Sequence, residues 1–405
     1  MQNMLTLAAI WISLALLATI ISYVLGIATA LSEIMVGIVA QAILGTWLGV
    51  TLLDPKTEWI SFLASTGAVL LTFLAGAELD PVVFKAKWKE ASLVGLASFF
   101  LPFLGCAALA YYGLHWTALA SWLAGIALST TSVAVVYAVM LEFGLNVTDY
   151  GKTVLAACFV TDLGTVLALG LMFSPFTIKT LIFFAISIVV CIILPWVTSR
   201  LFKLFGNRPS EFEAKFLFVC LFTLGALAIW AGSEAVLPAY LIGMALAGTV
   251  GKNHTLIRRL RTLTFGMLTP FYFIRTGSFV SLPALITAPI AFFILFFGKI
   301  ITKLIGVYPI TRLFGAPQRE GVYTTLLMST GLTFGSISAL FGLAHGIINN
   351  NQYTYLIAVV IGSAIIPTII ANLFFLPHHL IPKPRDISEH EAQRNNTQHE
   401  IIEAD

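Results

Sequence analysis

The feature that most constrains this chain is a repeating pattern. An apolar run of about twenty residues is followed by a short polar break and then another apolar run, almost to the end. Thirteen such spans can be marked, at 4–24, 29–51, 58–77, 91–113, 118–141, 151–174, 177–200, 213–231, 235–250, 262–281, 284–311, 321–346 and 353–377. All but the short ninth have the length a helix needs to cross a bilayer, where every backbone polar group must be satisfied within the segment. Charged residues make up 10% of the sequence, against about a quarter in soluble domains. Continuous runs, as opposed to ten-residue alternation, exclude a β-barrel. The expected class is an all-α polytopic membrane protein of about thirteen transmembrane helices over 1–377, with a polar tail at 378–405 expected to be disordered. The first span has no basic residue before it and no evident cleavage site, so it reads as a retained helix. Nothing resembles a nucleic-acid-binding surface.

Lys and Arg orient the bundle. With alternating loops, one side collects Lys85, Lys87, Lys89, Lys152, Arg200, Lys203, Arg208, Lys215, Lys252, Arg258, Arg259, Arg261, Arg312 and Arg319, and the tail adds Lys383, Arg385 and Arg394. The other side holds only Lys56 and Lys179. The positive-inside rule puts the crowded side in the cytoplasm, with the N-terminus outside and the C-terminus inside. A bacterial-type inner (cell) membrane is the expected location.

Four charges lie deep within spans, away from their ends. Asp162 lies near the middle of KTVLAACFVTDLGTVLALGLMF (152–173). A carboxylate there costs roughly 2.5 to 3.5 kcal/mol on insertion scales, and such a residue marks a functional site by default. Lys299 and Lys303, four residues apart, share one helix face. A buried lysine needs a counter-charge, and Asp162 is the one acid near mid-membrane, so an Asp–Lys pair is expected across the bundle. Arg275, in TPFYFIRTGSF, is assigned to helix ends or backbone carbonyls, or to an accessory role at the site.

Two spans are interrupted by polar and small residues at matching places. The fifth carries Ser129, Thr130, Thr131 and Ser132; the twelfth carries Ser329, Thr330, Gly331, Thr333, Gly335 and Ser336. If spans 1–6 and 8–13 are repeats joined by span 7, each interruption sits in the fifth span of its half, and the odd connector makes the halves inverted. Paired discontinuous helices in inverted halves point to a transporter's binding site. Small residues that merely permit close helix packing explain either run alone.

These residues resemble the Kef/NapA type of monovalent cation:proton antiporters. The resemblance rests on LLTFLAGAELDP (70–81), IALSTTSVAVVYAVM (126–140), FVTDLGTV (159–166), LPAYLIGMALAG (237–248), TPFYFIRTGSF (269–279) and KLIG (303–306), in that order. It implies an NhaA-like elevator fold with two crossing broken helices in a core domain, a homodimer, and no cofactor beyond the transported Na⁺ or K⁺ and H⁺. The family's ion-binding aspartate matches Asp162, its core lysine matches Lys303, and Lys299 is the fallback. The position before the aspartate, often Asp, Asn or Gln in relatives, is Thr161 here. One carboxylate and a hydroxyl suggest one proton exchanged per cation. The short segment after the last span gives no support to nucleotide or thiol-conjugate gating.

The chemistry expected is competition. A carboxyl binds a proton or a small hard cation, and oxygen ligands suit such cations. Burial favours its neutral form and a nearby cation its charged form. Two rivals remain at this stage: an organic-anion/sodium symporter of similar architecture, kept open by Arg275, and a cation channel. An enzyme is disfavoured, because no metal cluster or nucleophile–base arrangement is visible. GKT at 151–153 lacks the glycine a phosphate loop needs. Cys106, Cys158, Cys191 and Cys220 show no metal or disulfide spacing.

Overall fold

A computed structural model describes residues 4–25, 29–43, 53–77, 85, 87–145, 148–173, 177–206, 211–233, 235–251, 253–280, 283 and 289–381. Residues 382–405 of the expected 378–405 tail, the acidic end of the 70–81 motif and Arg208 and Lys252 lie outside these residues, while His378–Leu380 form a short 3-10 helix where disorder was expected. Within them the fold is all-helical. The first half contains α1 (Met4–Leu25), α2 (Thr29–Gln41), α3 (Glu58–Ala77), α4 (Trp88–Ala108), α5 (Ala118–Ser129), α6 (Val133–Glu142) and α7 (Asp149–Phe173). A long α8 (Ile178–Phe205) follows. The second half contains α9 (Phe212–Trp230), α10 (Val236–Leu246), α11 (His254–Leu263), α12 (Thr269–Ser278), α13 (Pro289–Leu313), α14 (Gln318–Met328), α15 (Thr333–Ala344) and α16 (Asn350–Ile370). Nine helices or helix pairs among the described residues are long and apolar enough to cross a membrane, and α2, α5 and α10 are shorter apolar pieces.

Each of the thirteen sequence spans holds helix; two are broken where expected, and one is longer than expected. Spans five and twelve are each two short helices, α5–α6 and α14–α15. Their breaks come from hydroxyls that compete for helical carbonyls. Ser129 Oγ donates to Ile126 O at 2.8 Å and Thr130 Oγ1 to Ala127 O at 3.2 Å; Ser329 Oγ donates to Thr325 O and Thr330 Oγ1 to Leu327 O, at 2.8 and 2.7 Å. The tenth span starts earlier than its hydropathy suggested. HTLIRRLRTL forms the amphipathic α11, capped by Asn253 Oδ1, which accepts from Leu256 N at 3.1 Å. Leu256, Ile257 and Leu260 are buried, while Arg258 and Arg259 face outward. A π-turn at Thr264–Leu268 then joins α11 to α12.

The periphery and the centre follow different rules. α1 and α8 leave most of their apolar surface exposed, as lipid-facing helices do. The twelfth span is largely buried. Two helix pairs, α2 with α12 and α3 with α10, pack main chain against main chain. A Cβ on Gly37 would lie 2.3 Å from Ile274 O, and one on Gly277 2.1 Å from Ile34 O. The equivalents at Gly76 and Gly243 would lie 2.5 Å from Tyr240 O and 2.2 Å from Phe73 O. Glycine is what lets these helices approach.

Candidate functional site

The two breaks touch at the centre of the bundle. Ser132 N donates to Thr330 O at 2.9 Å, and Thr131 Oγ1 donates to Met328 O at 2.8 Å. The half-helices α5 and α14 end here, so their last carbonyls, the negative ends of their dipoles, converge on one place. Ser129, Thr130, Thr131, Ser132, Ser329 and Thr330 are fully buried, and Thr333 nearly so.

α13 passes this crossing and brings two lysines to it. Lys303 is fully buried. Its ammonium donates to Ser98 Oγ at 2.7 Å, to Ser129 O at 2.7 Å and to Thr131 Oγ1 at 3.1 Å. Lys299, one turn away and equally buried, donates to Ser363 Oγ on α16 at 3.0 Å. It also lies against the second break: a Cβ on Gly331 would come 2.2 Å from Lys299 Nζ and 2.9 Å from Thr130 Oγ1. The glycine leaves the room that the ammonium fills.

Asp162 stands on α7, 2% exposed, and its Oδ1 has no hydrogen-bond partner. Buried polar atoms are rarely left so, and each such atom calls for an explanation. The Asp–Lys contact expected from sequence is not the arrangement present. The ion pairs among the described residues are elsewhere, and the Lys303 donors go to the crossing instead. Thr161, fully buried, turns its hydroxyl to backbone, donating to Gly95 O on α4 or Ala157 O at 3.1 Å each. Tyr240 of α10 donates to Phe159 O at 2.9 Å, tying α10 to α7 one turn before Asp162. Cys158 Sγ and Met328 Sδ meet at 3.5 Å. Arg275 is held apart from this centre: Nε donates to Pro55 O at 2.8 Å, an Nη to Ser61 Oγ at 3.0 Å, and the guanidinium lies over the Phe279 ring.

A cavity of about 280 Å³ opens beside the same helices. Glu90, Asp149, Tyr150, Ala157, Glu320 and Thr324 are among its lining residues. Ala157 places its inner wall little more than one turn of α7 from Asp162. Tyr150 Oη and Thr324 Oγ1 meet at 2.7 Å, and His379 Nε2 lies 2.9 Å from Glu320 Oε1.

Sequence reasoning overlooked α4. It supplies Ser98 to Lys303 and the Gly95 carbonyl to Thr161. The signal was faint: Gly95, Ser98 and Pro102 form a small-residue stripe at helical spacing in an otherwise ordinary apolar span.

Comparison with known proteins gives the geometry its setting. The family described as the transmembrane sodium/hydrogen exchanger matches residues 12–376. A probable Na⁺/H⁺ antiporter of Methanocaldococcus jannaschii is 23% identical over 85% of this chain and 90% of its own length. The glutathione-regulated potassium-efflux protein KefC of an Enterobacter species is 27% identical over 83% of this chain, which spans only 54% of that longer protein. The sodium proton antiporter MjNhaP1 from Methanocaldococcus jannaschii has the same fold. Its structure aligns with a TM-score of 0.71 at 14% identity, covering 92% of this chain and 97% of its own.

Proposed function

The chain belongs to the sodium/hydrogen exchanger family, and from that premise we propose that it is a secondary antiporter in which a monovalent cation and protons compete for Asp162. It is an integral, multi-pass membrane protein and its family is one of transporters. The observation that carries the proposal is the buried Asp162 carboxylate, with one oxygen free of partners, one helical turn from Cys158, whose Sγ meets Met328 at the end of the half-helix α14. Alternating access then moves either the cation or the proton, because one carboxyl does not hold both. Thr161, whose hydroxyl donates to the Gly95 or Ala157 carbonyl, offers its oxygen as a second ligand when the cation binds. Lys303 holds the carboxylate when neither ligand is bound and leaves it when the cation arrives. Both Na⁺ and K⁺ suit such oxygen ligands, and the relatives' names include each. The protein works as a homodimer, in the cell membrane, with the basic loops and the 378–405 tail in the cytoplasm.

The test is cation-driven proton movement in proteoliposomes, with Na⁺, K⁺ and Li⁺ compared under a clamped potential. Asp162→Asn keeps the side chain's size and removes its titration, so exchange is expected to vanish while the protein still inserts. Robust coupled flux in that variant would sink the assignment. The apparent KM for the cation should also rise as pH falls, because protons occupy the carboxyl. With Thr161 in place of a second carboxylate, one proton moves per cation, so initial rates should not change with an imposed potential. A clear potential dependence would move a second proton onto the lysine.

A further inference from the structure

We propose that Ser98, with the Ser129 carbonyl and the Thr131 hydroxyl, forms a seat that holds the Lys303 ammonium off Asp162, making Ser98 a positioning residue for cation binding. The inference rests on the reading of Asp162 as the cation site. An ammonium has three donors. All three find acceptors here, at 2.7, 2.7 and 3.1 Å, on three different elements: α4, the end of α5 and the first break. None is left for Asp162, whose Oδ1 is buried without a partner. Directionality completes the set. Thr131 Oγ1 spends its own proton on Met328 O at 2.8 Å, so it offers Lys303 a lone pair. Ser129 O is the terminal carbonyl of a half-helix, where a cation is favoured.

None of the three acceptors carries a formal charge, whereas the carboxylate does. The lysine therefore divides between two alternatives of different kind: a seat of three neutral acceptors, and a single ionic partner. A cation finds the carboxylate free only while the lysine is seated. Apparent affinity for the cation is then the intrinsic affinity scaled by the seated fraction. Ser98 is the one side chain of the seat outside the broken helices, and removing its oxygen tilts the lysine back toward Asp162.

The experiment reads cation binding, which transport-dead variants still report. Na⁺- or K⁺-dependent thermal stabilisation is measured for the purified full chain, for Ser98→Ala, for Lys303→Gln and for the double variant. The expected result is a roughly tenfold weakening in Ser98→Ala, the weight of one hydrogen bond to a charged group. Ser98→Thr, which keeps the oxygen, should restore affinity. Ser98→Ala should have no further effect once Lys303 is Gln. Unchanged affinity in a folded Ser98→Ala protein overturns the seat, as does an equal weakening with and without the lysine, which would mark Ser98 as packing alone. Stabilisation that persists in Asp162→Asn rejects the cation site itself, a separate outcome that removes the seat with it.

Discussion

The two helix breaks look alike in sequence and do different things. The first, Ser129–Ser132, faces α13 as well as the second break: Ser129 O and Thr131 Oγ1 take bonds from Lys303. The second, Ser329–Leu332, faces the first. Thr330 O and Met328 O are consumed by Ser132 N and Thr131 Oγ1. No hydrogen bond among the described residues joins a lysine to the second break, although Lys299 is pressed against Gly331. One break is an acceptor surface for charge, and the other is a surface against which charge is packed. The two breaks are therefore not equivalent, and the contacts with charge are concentrated on the first.

The largest test of this asymmetry compares the lysines. Lys303→Ala strips two acceptors of the first break of their donor and leaves Asp162 without its counter-charge. It should lower exchange by tenfold or more, on the order of the 1.5–3 kcal/mol of a charged hydrogen bond. Lys299→Ala, which loses the bond to Ser363, should cost less. A reversed ranking in proteoliposome flux would make Lys299 the core lysine. A second test attacks the packing side. Gly331→Ala should destabilise the protein by about 1–3 kcal/mol through overpacking, read as a fall in thermal unfolding temperature in detergent. Lys299→Met in the same chain should recover part of that loss; no recovery would show that the ammonium is not what Gly331 accommodates. Thr131→Val removes both the donor to Met328 O and an acceptor of Lys303, and should cost about 1–3 kcal/mol. Ser329→Ala, which loses only a bond within its own helix, should cost least, and equal costs would erase the proposed division of labour.

Much of this centre was legible in the sequence because it violates local rules. An acid in a 25-residue apolar helix and runs of hydroxyls within spans announce themselves wherever the helices pack. Lys303's partners could not be read that way. Ser98 lies 205 residues from it, and a lone serine in an apolar span looks the same with or without a task. Opposite charges suggested an Asp–Lys pair, yet three neutral acceptors hold the ammonium, a choice set by distances that only the folded chain fixes. Arg275 is ambiguous in sequence between a structural and an accessory role; the structure commits its donors to the Pro55 carbonyl and the Ser61 hydroxyl. The early start of the tenth span was missed because α11 is amphipathic, and a hydropathy window scores its arginines against it.

The glycines of the two main-chain contacts carry a consequence for how variation in this protein is to be interpreted. At Gly37, Gly76, Gly243 and Gly277 the neighbour is a backbone carbonyl, which no rotamer change can move aside. In a saturation library these four codons should tolerate almost nothing, and a growth-based screen would rank them beside Asp162. Their intolerance has a different origin. Variants there should be missing from the membrane, whereas Asp162 variants should be present and idle. Scoring abundance alongside growth would separate the two groups, and without it the joints of the frame would be mistaken for its ion site.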